Sequence, residues 1–171
     1  TEAKLELAEY AASRGVVILV ENILAAISNY LNTMRQVSDY VDALGCDNVA
    51  VHLDTYSMLM EENDIQGAVE YAASRLRYVH FSDSGRLFPG GGNVDFKAFV
   101  KALKKVGYNK YVVTECVPIP DAETCARLVL EYMKAVEECG RIETILTRES
   151  AGLAVGAPYM SAHASRSEVL H

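Results

Sequence analysis

Three things are scarce in this chain, and each absence closes off a class of protein. No apolar run approaches the roughly 20 residues that a membrane-spanning helix needs. No cluster of Lys and Arg offers a footprint for a phosphate backbone. The four cysteines, Cys46, Cys116, Cys125 and Cys139, stand too far apart for a CxxC metal or redox motif. Residues 1–10 alternate charged and apolar side chains, where a secretory leader would place a basic stretch before an apolar one. A membrane span, a disulfide-stapled secreted domain and a nucleic-acid partner are therefore not expected. The expectation is a cytoplasmic protein with free thiols. A formal net charge of −7, from 16 basic and 23 acidic residues, points the same way for nucleic acid.

What is present suffices for one sizeable core: 171 residues, half of them hydrophobic and 23% charged. Apolar positions Leu5, Leu7, Ala8 and Ala11 predict a helix over 1–13, stopped by Gly15. A β-branched run over 16–21 predicts the first strand. After a polar loop, Asn32 or Thr33 caps a helix carried by Met34, Val37, Tyr40, Val41 and Leu44, ended by Gly45. Strands follow over 48–54, 76–81 and 111–115, with helices over 65–74, 95–106 and 121–138 and loops over 55–63 and 82–93. Four successive βα units imply a parallel sheet with right-handed helical crossovers, an α/β fold.

Each strand-like run ends in a side chain able to bind a metal: Glu21, Asp54, His80 and Glu115. Parallel α/β proteins place their chemistry at the carboxyl ends of their strands. The four residues stand 33, 26 and 35 apart, near the roughly 31 residues per unit of an eight-unit barrel. Singly, each has an ordinary explanation: a glutamate after a strand can be solvated, Asp54 before Thr55 can cap a turn, and His80 can be a core histidine. Recurrence at corresponding positions in four consecutive units favours one metal centre. Two glutamates, an aspartate and a histidine suit Mn²⁺, Mg²⁺ or Co²⁺, with Zn²⁺ also possible. Such an ion can chelate a sugar's carbonyl and neighbouring hydroxyl oxygens and stabilise an enediolate.

Four stretches carry a family resemblance: Val-Glu-Asn at 20–22, His-Leu-Asp-Thr-Tyr-Ser-Met-Leu-Met-Glu-Glu at 52–62, Val-His-Phe-Ser-Asp-Ser-Gly-Arg at 79–86 with the following Pro-Gly-Gly-Gly-Asn-Val-Asp-Phe, and Val-Thr-Glu-Cys at 113–116. They resemble the xylose-isomerase-like barrel superfamily, and within it the ketose 3-epimerase branch, over about residues 5–136. The resemblance implies that Glu21, Asp54, His80 and Glu115 bind a divalent metal. It implies that Glu21 and Glu115 are the catalytic acid/base pair at carbon 3, and that Arg86 contacts substrate oxygens. The run Gly90, Gly91, Gly92 lacks the lysine and helix context of a phosphate-binding loop and reads as a pliable loop at the mouth of the site. Two positions depart from the family pattern. Ser57 stands where a histidine is usual and Ile27 where a glutamate is, both normally touching substrate.

On this alignment the chain is a parallel (β/α) half-barrel, the last four βα units of a TIM barrel, over residues 1–139, followed by a tail over 140–171. Strands 16–21 and 111–115 would then be free edges, which must be paired or covered. The chain is expected to be part of a longer protein, to self-associate into a homo-oligomer, or to be shielded by its tail. The expected function is a metal-dependent sugar isomerase or epimerase with a small-molecule sugar as partner. The alternatives are a catalytically silent remnant serving as a binding or assembly module, and a metal phosphodiesterase resembling endonuclease IV, which lacks support from a His-rich loop after His80.

Overall fold

The computed structural model describes residues 2–137. Cys139 and the expected tail over 140–171 lie outside these residues. The chain runs α1 (Glu2–Ser13), β1 (Ile18–Glu21), α2 (Met34–Leu44), β2 (Val49–Asp54), α3 (Thr55–Glu61), α4 (Ile65–Ala72), β3 (Leu76–Phe81), a 3-10 turn (Ser84–Arg86), α5 (Phe96–Lys105), β4 (Val112–Thr114) and α6 (Ala122–Glu137). The strands form one parallel sheet in the order β1-β2-β3-β4. Consecutive parallel neighbours each joined through helix are the βα repeat that the sequence predicts.

Local chemistry sets the boundaries. Thr33, rather than Asn32, caps α2: its hydroxyl accepts from the Gln36 amide while Gln36 reaches back to the Thr33 amide, a capping box. Gly45 closes the helix at φ 64°, a left-handed conformation that glycine adopts without strain. Asp64 and Asp95 cap α4 and α5, each carboxylate accepting one amide, from Gly67 and Ala98, at 3.0 Å.

Three stretches differ from expectation. The predicted loop over 55–63 contains helix α3. The reason is Asp54, whose carboxylate accepts the Ser57 amide at 2.7 Å and starts a run of good helix formers, Met58 to Glu61. Strand β1 begins at Ile18 because Val16 and Val17 find no partner strand and stay exposed. Strand β4 stops at Thr114, although the Glu115 amide still bonds the Phe81 carbonyl at 3.2 Å and so remains in register.

The core lies on one side of the sheet. Val37 and Val41 of α2, Val69 and Ala72 of α4, and Phe99 and Leu103 of α5 pack with Val51, Leu53, Val79, Phe81 and Val112 in a single buried cluster. Strand side chains alternate between faces, so Leu19, Glu21, His52, Asp54, Tyr78 and His80 share the other face. Pairing shifts between Val51 and His52: Val51 sits beside Leu76 but His52 beside Tyr78, skipping Arg77. That irregularity sets Asp54 beside His80. β1 and β4 form the two outer edges among the described residues. No helix among them is long and apolar enough to cross a membrane.

Candidate metal centre

The four strand-end residues meet. Glu21, Asp54, His80 and Glu115 each offer one ligand atom, and these atoms all lie within 4.8 Å of one another. His80 is central: its Nδ1 stands 3.5 Å from Glu21 Oε1 and 3.4 Å from Glu115 Oε2. Burial alone would lower its pKa, but the two carboxylates outweigh burial and hold it up at about 9. Glu115 moves the other way, lowered first by His80 and then by Arg86 against the burial that would raise it. Asp54 is fully buried, and that burial raises its pKa while Arg86 and the Ser57 amide oppose the shift.

Side-chain clips hold this platform at the top of the sheet. Asn22, buried directly after Glu21, accepts the Asp54 amide at 2.8 Å and donates to the Asp54 carbonyl, joining β1 to β2. Thr55 donates to the Ser82 carbonyl and accepts the Ser82 amide, both at 2.8 Å, joining β2 to β3. Glu61 and Glu62, at the end of α3, accept the amides of Ala25 and Met34 and tie down the loop after β1. The Asn22 and Thr55 clips fix the backbone beside Glu21, Asp54 and His80 where the ladder itself is running out.

Arg86 enters the cluster from the 3-10 turn. Its Nη1 donates to Asp54 Oδ2 at 2.9 Å and to Glu115 Oε2, and its guanidinium stands 5.2 Å from the centre of the Tyr56 ring. The residue sits at φ 60°, a left-handed conformation unusual for a side chain of this size. The glycine-rich loop behind it is anchored rather than pliable. The buried Asp83 carboxylate accepts four amides, from Ser84 at 2.7 Å, Gly90 and Gly92 at 3.0 Å and Val94 at 2.9 Å. Gly92 is required there, because a Cβ would stand 2.5 Å from Asp83 Oδ1. Ile27 is exposed, and Ser57 is buried beside Asp54 with its hydroxyl unpartnered.

The sequence reasoning passed over His52. It is buried on β2 two residues before Asp54, with Nδ1 3.8 Å from Glu21 Oε2 and its ring 4.1 Å, centre to centre, from that of His80. Burial drives its pKa down to about 4, with Glu21 opposing, so it is neutral near pH 7. The period-two rule along a strand was the available signal, since it places residues 52 and 54 on one face.

A family model described as "Xylose isomerase-like TIM barrel" matches residues 2–136. Among curated proteins, an L-ribulose 3-epimerase of Mesorhizobium japonicum is 42% identical over 108 residues, 63% of this chain and 36% of that protein. A ketose 3-epimerase of Arthrobacter globiformis is 40% identical over 109 residues, 64% of this chain and 38% of that protein. The crystal structure of a D-allulose 3-epimerase from Methylomonas sp. superposes with a TM-score of 0.73 at 33% identity, covering 79% of this chain and 54% of that one. The chain thus spans well under half the length of these curated relatives and about half of the solved barrel.

Proposed function

Since the chain belongs to the xylose isomerase-like TIM barrel family, we propose that it is the metal-holding half of a sugar epimerase or isomerase that moves a proton on a ketose or related sugar. The observation that carries this reading is the convergence of Glu21, Asp54, His80 and Glu115 from four consecutive strands. The 3-epimerases among its relatives supply the substrate class.

The residues fit a divalent ion. His80 Nδ1 is buried without a hydrogen-bond partner, yet faces two carboxylates at 3.4 and 3.5 Å. Neighbouring ligands around an ion with bonds of about 2.0–2.2 Å stand roughly 3.0–3.4 Å apart, so the cluster is close to a coordination shell. The oxygen-rich set suits Mn²⁺, Mg²⁺ or Co²⁺. When bound, such an ion would supply Lewis-acid polarisation of a sugar carbonyl.

The protein's own groups account for the proton transfers. Glu115, held as a carboxylate by His80 and Arg86, is able to accept a proton near neutral pH. Glu21 reaches the cluster from the opposite edge of the sheet and serves as the second acid/base group. Arg86 serves in this reading to hold substrate oxygens, supported by its position beside Asp54 and Glu115. Its guanidinium carries five N–H donors and a fixed charge.

A barrel mouth draws its pocket from eight loops, and four are described here. A second copy of the chain or a further segment completes the pocket in this reading. Light scattering on a size-exclusion column tests self-association, and a well-behaved monomer excludes it. Ser57 and Ile27 favour a second reading, a silent module that keeps its ligands by descent. Mixing the protein with Mn²⁺ and a ketose panel in deuterated water separates the two. Exchange at the carbon beside the carbonyl supports the epimerase, whereas tight metal binding without exchange on any sugar supports the module.

A further inference from the structure

Two of the four proposed ligands belong to a second cluster. Glu21, His52 and His80 also present ligand atoms within 4.8 Å of one another. The two oxygens of Glu21 are divided between the imidazoles: Oε1 faces His80 Nδ1 at 3.5 Å and Oε2 faces His52 Nδ1 at 3.8 Å. These are too long for hydrogen bonds. They approach the separation of about 3.4 Å between neighbours in a tetrahedral site with bonds of about 2.0–2.1 Å.

His52 makes little structural use of its polar atoms. It is 93% buried, on the figure of 7% exposure, and its Nε2 has no hydrogen-bond partner. The Tyr78 ring stands edge-on at 5.1 Å and His80 edge-on at 4.1 Å, so the imidazole is fixed in orientation by rings. Glu21, with 40% of its side chain exposed, leaves the cluster open to solvent on one side. A buried, oriented imidazole beside a second imidazole and a carboxylate is the donor set of an open zinc site: three protein ligands and a free position.

We propose that this chain has two overlapping metal sites with different preferences: an oxygen-rich one on Glu21, Asp54, His80 and Glu115, and a nitrogen-rich one on Glu21, His52 and His80 that selects Zn²⁺. The proposal rests on the reading of Glu21 and His80 as ligands. Nitrogen donors favour Zn²⁺ over Mn²⁺, and carboxylates favour the harder ion. The two sites share Glu21 and His80, so they fill in competition. Zinc in the nitrogen-rich site would leave the Arg86 bonds to Asp54 and Glu115 untouched, whereas an ion on the oxygen-rich set would compete with Arg86 for those carboxylates.

Calorimetric titration of Zn²⁺ and of Mn²⁺ into the metal-free protein tests this. His52→Phe removes a ligand and should weaken Zn²⁺ by at least about a hundredfold, since losing even the outer partner of a ligand costs roughly 10–100-fold, and leave Mn²⁺ within about twofold. Asp54→Asn, which keeps the oxygen that caps α3, should do the converse. Long-range ¹H–¹⁵N spectra of the unsubstituted protein give a second readout that no folding defect can blur: Zn²⁺ should shift the ring nitrogens of both His52 and His80, Mg²⁺ only those of His80. Parent protein that binds neither ion overturns the metal reading as a whole. Parent that binds both, with zinc unaffected by His52→Phe or with His52 nitrogens unmoved by zinc, overturns this inference alone, as does equal weakening of both ions.

Discussion

The two faces of the sheet solve opposite problems. The helix-facing side is closed, its Val51, Leu53, Val79 and Phe81 buried under α2, α4 and α5. The other side carries carboxylates and imidazoles together with exposed Leu19, and Val17 and Tyr111 stay exposed at the edge strands. The strands thus have one face for stability and one for chemistry. Substitutions on the two should behave as if they belonged to different proteins.

The largest effect should come from the closed face. Phe81, with Phe96 4.9 Å and Phe99 6.4 Å away by ring centres, is fully enclosed. Phe81→Ala should cost about 3–5 kcal/mol, read as a lowered urea midpoint. Next is the anchor of the loop after β3. Asp83→Ala strips four amides of their acceptor and should cost on the order of 3 kcal/mol, with faster hydrogen exchange confined to residues 84–94. A fall in stability with no change in exchange there would show that the loop is held by something else.

Chemistry on the open face should appear only with its ligand. At a Mn²⁺ concentration one hundred times Kd, the stability gain should be about 2.7 kcal/mol, and it should vanish in His80→Ala and Glu115→Ala. An equal rise in melting temperature in both variants would sink the assignment of these ligands. Smallest of all, Leu19→Ser should change the unfolding free energy of the isolated chain by no more than about 0.5 kcal/mol. If a second copy covers that face, the same substitution should reduce the oligomer measured by light scattering, and the contrast between the faces would then hold only for the single chain.

Much of this arrangement was legible from residues alone. Four β-branched runs, each closed by Glu21, Asp54, His80 or Glu115, announced both the parallel sheet and the side chains that gather at its carboxyl end, because strand alternation and strand-end placement are local consequences of backbone geometry. Helix α3 was missed because its start depends on Asp54 turning its carboxylate back to the Ser57 amide, a choice between capping and ligation that the sequence leaves open. The loop at Gly90 to Gly92 was read as pliable because glycine was visible, whereas the four amides gathered by Asp83 belong to residues spread over 84–94. His52 was hidden inside an apolar run whose neighbours are core.

The sequence by itself determined the number and order of the βα units and which side chains would stand at strand ends, since these follow from short-range periodicity and backbone chemistry. Only the tertiary structure decided which atoms meet. The shift at Val51 and His52 places Asp54 beside His80, Arg86 crosses from its turn to two carboxylates, and Glu21 divides its oxygens between two histidines. Those contacts depend on register between strands 26 to 35 residues apart, a long-range property set by the packing of the helices beneath the sheet.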